Sequence, residues 1–172
     1  MIQRYHYLGH RPLPGAQFRY LVQSAKGLVG ALSFSAAAWK IAPRDHWIGW
    51  TAAQRQTHLH LIVCNSRFLI LPWVTAKNLA SKILALAARQ LPTDWQRRHG
   101  FQPVLLETFV ETNRFAGTCY KAANWIYVGQ TQGRGKCDHW NQNVLPIKDI
   151  YLYPVCRNFR QQLLTPATEV QR

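Results

Sequence analysis

Acid is what this sequence has least of: Asp and Glu together number 7 among 172 residues, against 21 Lys and Arg, for a formal net charge of +14. So few carboxylates leave the surface field positive almost everywhere, and polyanions are the expected partners. Long apolar runs are missing too. The longest, Leu59 to Val74, is broken by His60, Asn65, Arg67 and Pro72 and is too polar for a spanning helix, which weighs against an anionic membrane as the partner. The stretch Met1 to Tyr7 has no apolar core of a signal peptide, so a cytoplasmic location is expected. Cys64, Cys119, Cys137 and Cys156 lack any paired spacing, which excludes a disulfide scaffold or a zinc ribbon and predicts reduced thiols. Cys137, His139 and the distant Cys156 hint at metal ligands, but without the two-ligand knuckle of a zinc site.

What is present is enough apolar material for a core: 48% of residues are hydrophobic and 12% aromatic, in a length that suits one domain, drawn here as residues 1–165 with a polar tail at 166–172. After a Gly/Pro-rich opening at 5–15, alternation over 18–22 and 28–34 predicts an antiparallel hairpin turned at Ser24 to Gly27. A Trp-rich connection fills 36–55. The most apolar strand lies within 59–71 and stops at Pro72. Leu79, Ile83, Leu84, Leu86 and Ala87 then recur at a helical period, which predicts a helix over 78–91, capped by Asn78 and ended by Pro92. The segment 93–102 reads as a connection, 104–110 as a buried strand, 117–124 as a second helix and 149–154 as a last strand. There is no internal repeat, and the polar residues after Arg160 are expected to fray.

With acids so scarce, each invites a question. Glu107 and Glu111 share one face of their strand, and Glu107 sits within an apolar run, where a carboxylate needs a strong reason. It reads as a general base toward an amine, as part of a nuclease metal pair, or as the partner of an Arg across the sheet. Asn124 is either a base-reading side chain or a helix C-cap. Cys119 reads as a nucleophile or as small buried filler, and its apolar and small neighbours, with no His close in sequence, favour the filler.

Cations interleave with rings at Trp39 to Trp50, including Trp47, at Trp95 to His99, including Arg97 and Arg98, and at Arg134 to Trp140, including Lys136. Cations suit phosphates and flat rings suit exposed bases, so nucleic acid, DNA above all, is the expected partner. Of the seven tryptophans, two are expected to be exposed. The loop 129–136 lacks a P-loop ending and reads as a backbone clamp, with Arg134 and Lys136 reaching a phosphate.

The strings Phe68 to Trp73, Asn78 to Ser81, Leu105 to Val110, Gly117 to Trp125 and Gly129 to Gly135 together resemble the domain of the A protein of the Druantia anti-phage system and its transposase-associated relatives, over about Tyr7 to Arg160. That resemblance implies a role in defence or in a mobile element, with transposase or defence proteins as partners. A second resemblance, in the order of elements, is to the GNAT acyltransferase fold. It implies an α+β domain with a mixed, mostly antiparallel sheet flanked by helices. It further implies acyl-CoA as cofactor, seated at Lys77, Asn78, Ala80 and Ser81, and Tyr120 as the acid for a departing thiolate. The loop departs from that pattern by lacking its two glycines. Three readings follow: transfer of a group to a nucleobase amine by Glu107 and Tyr120, with Asn124 in support; a metal-dependent nuclease built on Glu107, Glu111 and Asp45; or a fold that kept nucleic-acid binding alone.

Overall fold

Alternating apolar residues near the start of the chain do form a hairpin. In the computed structural model, which describes residues 1–9, 13–133 and 145–166, strands β1 (Gln17–Ser24) and β2 (Gly27–Ala36) pair antiparallel. Gly27 closes the turn at a φ of +111°, a conformation that side chains resist. Strand β3 (Ile62–Ile70) pairs antiparallel with β2 and parallel with β4 (Leu105–Glu111). Parallel neighbours need a crossover, and helix α4 (Leu79–His99) makes it. Strand β6 (Lys148–Pro154) adds antiparallel to β4, and β5 (Ile126–Gln130) adds to β6, giving the order β1-β2-β3-β4-β6-β5. The result is the expected α+β architecture, a mostly antiparallel sheet flanked by helices.

Helices cover both faces of the central strands, which is why those strands read as continuous apolar runs. Ile62 and Val63 point to opposite sides, as do Leu105 and Leu106. On one side, α4 and the short helix α5 (Thr118–Ala122) pack Leu84, Leu91, Trp95 and Tyr120 against Phe34, Val63 and Leu106. On the other, helices α2 (Ala42–Ile48), α3 (Ala52–His58) and α6 (Phe159–Leu163) enclose Ile48, Trp50, Ile62, Leu105 and Leu152. A four-residue helix, α1 (Ile2–Tyr5), precedes them all. Leu84 is 1% exposed, so Leu84→Ala should destabilise by about 2–5 kcal/mol, read from denaturant unfolding. An unchanged midpoint would place the apolar stripe of α4 away from the sheet.

Three expectations need correction. Pro92 does not end α4; the helix continues to His99 and stops at Gly100, whose φ is +84°. A proline breaks one helical hydrogen bond and crowds the preceding turn, but Leu91, Pro92 and Trp95 are all buried, and that packing carries the helix past it. The connection 36–55 holds α2 and α3. The first has Pro43 in its opening turn and Gly49 in the left-handed region at its end. The second starts on a capping box, in which Thr51 Oγ1 accepts from Gln54 N (3.2 Å) and Gln54 Oε1 accepts from Thr51 N (2.8 Å). The chain after Arg160 does not fray at once, because Phe159 and Leu163 anchor α6 in the core. The count of exposed tryptophans agrees with expectation among the described residues: Trp39 and Trp73 face solvent, Trp47 is half-buried, and Trp50, Trp95 and Trp125 are buried.

Candidate functional site

Strands β3 and β4 stay together for three pairs only, Ile62 with Leu105, Val63 with Leu106 and Cys64 with Glu107. Directly beyond, β3 carries an extra residue against β2: Phe34 faces Asn65 and Ser33 faces Arg67, which leaves Ser66 as a bulge. A bulge bends and twists its strand, and the two parallel strands part at this point. Side chains take over the backbone groups that the ladder releases. Thr108 Oγ1 donates to the Asn65 carbonyl (3.0 Å), and Asn65 Nδ2 donates to the carbonyls of Ser33 (3.2 Å) and Arg67 (3.1 Å). The remaining amide oxygen of Asn65 accepts from the Tyr120 hydroxyl at 2.8 Å. Asn65, Thr108 and Tyr120 are all buried, so the fork is a small satisfied polar network in an apolar setting.

The gap opens into a cavity of 570 Å³ walled by residues 65–70, 108–110, 114–120 and 5–8. A second cavity of 340 Å³ lies beside Ser35 to Ala38, toward the α2 face, where Ala37 and Phe109 join the core. The two share Leu8, Asn65, Ser66, Arg67 and Phe109, so both lie against the point where the strands part. The wall of the larger cavity carries Arg67 and Arg114 and no carboxylate. Burial pushes the Tyr120 hydroxyl well above its ordinary pKa, against a smaller lowering by its bond with Thr108, and so keeps it protonated. On the same wall, burial and then the Arg67 charge lower His6 to about 4; its Nδ1 accepts from Leu8 N at 3.2 Å.

The turn from β3 into α4 is made without the expected glycines. Asn78 adopts a φ of +59°, the left-handed conformation that glycine supplies elsewhere. Its side chain does not cap the helix; instead Ser81 Oγ donates to the Asn78 carbonyl at 3.0 Å. Leu79 packs against the core, which leaves Lys77 exposed and Ala80 and Ser81 in the first turn, where N–H groups have no helical acceptor. This donor-rich turn, with a cation beside it, fits a phosphate-bearing cofactor.

Glu107 is placed elsewhere. It is fully buried and lines neither cavity. Its Oε2 accepts from Arg44 Nη1 (2.8 Å) and its Oε1 from Ala38 N (2.9 Å). Arg44, itself 0% exposed, also donates to Asp45 Oδ1 (2.8 Å) and to the Ala38 carbonyl (2.8 Å), and Arg55 reaches Asp45 Oδ2 at 3.3 Å. Burial alone would lower the Arg44 pKa, but Glu107 and Asp45 raise it overall, so the guanidinium stays charged. Of the roles open to Glu107, the geometry is that of an Arg partner, though the Arg comes from α2 rather than across the sheet. Arg44 occupies the space between Glu107 and Asp45, and among the described residues no three His, Cys, Asp or Glu side chains converge as metal ligands.

The other candidates scatter. Asn124 is exposed and off the cavity wall; it takes a left-handed φ of +62° one residue past the α5 C-cap, Ala123, and so ends the helix rather than capping it. Cys119 lines the cavity half-buried, and burial raises its thiol pKa. Trp47 stacks on Phe159 at 5.4 Å with Arg160 4.3 Å over its ring, so it belongs to packing around α6. Arg97 and Arg98 are exposed on the last turn of α4, not on a loop, with Arg97 4.0 Å from Asp94. Arg134, Lys136, Cys137 and His139 lie outside the described residues, and Cys156 accepts from Gln162 Nε2 at 3.6 Å. Sequence reasoning missed Asn65, Thr108 and Arg44. The first was visible as a polar interruption of the most apolar strand; nothing marked Arg44 among the other cations.

Residues 1–147 match the family of the Druantia protein DruA. The chain belongs to that family. It is thus a domain of an antiviral defence system. Solved structures of GNAT acetyltransferases superpose on it, and the DruA domain has their fold. A spermidine N-acetyltransferase from Vibrio cholerae superposes with a TM-score of 0.55 at 12% identity, over 85% of this chain and 69% of that one. The same enzyme in complex with CoA and spermine gives 0.51 at 15% identity, over 79% and 64%. An N-acetyltransferase from Staphylococcus aureus gives 0.50 at 12% identity, over 81% and 68%. A search of curated protein sequences gave no match.

Proposed function

We propose that this DruA domain binds DNA and transfers an acyl group from an acyl-CoA-type thioester to an amine of the nucleic acid. The observation that carries the reading is the parting of β3 from β4, which sets two cavities against Asn65 and places the Tyr120 hydroxyl, hydrogen-bonded to Asn65, on the wall of the larger one. An acyl-CoA supplies an acyl group activated at a thioester carbon; Lys77 and the first turn at Ala80 and Ser81 would hold its phosphates. In the transfer an N–C bond forms and the C–S bond breaks. Tyr120, kept protonated by burial and oriented by Asn65, gives its proton to the departing thiolate sulfur. The amine's proton goes to solvent water, since Glu107 is closed in its ion pair with Arg44.

The net charge of +14 supports the nucleic-acid half of the reading. Affinity for DNA should fall steeply with salt, with a log–log slope of about 0.7–0.9 per neutralised phosphate. Reversing Arg97 and Arg98 to Glu should weaken binding and flatten that slope while leaving the fold intact, as expected for exposed side chains. A shallow slope in the parent protein would overturn DNA binding. Incubation with acetyl-CoA and an oligonucleotide, followed by mass spectrometry, tests the chemistry: an acetyl adduct on the oligonucleotide and released thiol are expected, and their absence at bound DNA would overturn the transfer.

A further inference from the structure

Flat side chains line the larger cavity at Tyr5, Tyr7 and Phe115 and extend past it to Trp73, and acyl transfer gives them no task. Tyr7 and Phe115, both on its wall, lie 5.4 Å apart between centroids at a tilt of 56°, and the Arg114 guanidinium sits 4.6 Å over Tyr7. Tyr5, on the same wall, meets Trp73 edge-on at 5.3 Å, and Arg4 lies 5.3 Å over Tyr5. Phe115 is 49% exposed and Trp73 62%. Large rings left in water beside a cavity mark a binding surface. The charges on the cavity wall itself are of one sign. Arg67 and Arg114 belong to the cavity wall, and Glu111, the neighbouring carboxylate, is engaged by the Tyr7 hydroxyl. Rings flanked by guanidiniums, with no carboxylate on the wall, disfavour a basic peptide and suit a flat ring carried on a phosphate chain.

We propose that Tyr7, Phe115 and Trp73 form a stacking collar for an unpaired base of single-stranded DNA, with Arg67 and Arg114 toward its phosphates. The inference rests on the DNA-binding half of the proposed function and adds the form of the substrate: in a duplex the base faces are covered by their neighbours, so rings beside a cavity engage only a base that has left its stack. The collar is tolerant of sequence, because every base has a flat face.

The test is equilibrium binding of a labelled single strand of about 12 nucleotides to the full chain at fixed salt, by fluorescence anisotropy. Phe115→Ala and Trp73→Ala should each weaken binding roughly 5- to 100-fold, with the salt slope unchanged because the rings carry no charge. Phe115→Tyr should restore affinity. The parent should bind a single strand better than an abasic strand of equal length, and the alanine variants should lose that preference. Their exposure makes both variants compatible with the fold, which melting curves check. Steep salt-dependent binding that ignores both alanine substitutions, or equal binding of the abasic strand by the parent, would overturn the collar and leave DNA binding standing. No DNA binding at all would overturn both. Weakened coenzyme A binding in the alanine variants, with DNA binding retained, would assign the rings to the adenine of the cofactor and remove the collar.

Discussion

Glu107→Gln is expected to cost about 3–5 kcal/mol of stability, because it strands a buried guanidinium whose main partner is gone. Arg44 and Glu107 are both 0% exposed, and the carboxylate also holds the Ala38 N–H at the entry to α2. Glutamine keeps the shape and one acceptor but loses the charge. Denaturant unfolding of the single variant measures the loss. Arg44→Met combined with Glu107→Leu should cost clearly less than the two single changes added, since well-packed apolar side chains often replace a buried pair at little cost. A Glu107→Gln protein as stable as the parent, but inactive, would return Glu107 to the role of general base.

Tyr120→Phe is expected to lower acyl transfer by about 10²–10⁴-fold, the usual range for removing a positioned proton donor. Affinity for DNA should barely change. Phenylalanine keeps the ring contacts with Trp125 (5.2 Å) and Tyr151 (5.9 Å), while leaving Asn65 Oδ1 without its 2.8 Å donor. That unmet acceptor should cost about 1–3 kcal/mol of stability. The comparison that decides is single-turnover transfer at saturating DNA and acyl-CoA, where a folded Tyr120→Phe protein with the parent's rate would remove Tyr120 from the chemistry.

Much of the architecture was legible because it is written in short-range pattern. Alternation marked the hairpin, continuous apolar runs marked β3 and β4, and a 3.6-residue period marked α4. Helices α2 and α3 were equally written, in Pro43, Gly49 and the Thr51 to Gln54 capping box, but each is only about two turns long and the tryptophans among those signals give the segment no apolar period, so it reads as a connection. Pro92 misled for a different reason. A proline's local cost is real, yet burial of Trp95 one turn on outweighs it, and burial is not a local property.

The site divides along the same line. Tyr120 was recognisable from the family resemblance, and it does reach a cavity wall. Composition settled the sign of the surface field and the scarcity of carboxylates, since charge is a sum over residues and needs no fold. Which carboxylate is closed in a core and which guanidinium closes it could not be read, because Arg44 and Glu107 stand 63 positions apart and meet only when α2 packs on the sheet. The parting of β3 from β4 is likewise a matter of register between three strands. One extra residue at Ser66 looks like ordinary strand sequence, and it becomes a fork only when β2 holds one side and β4 cannot follow on the other.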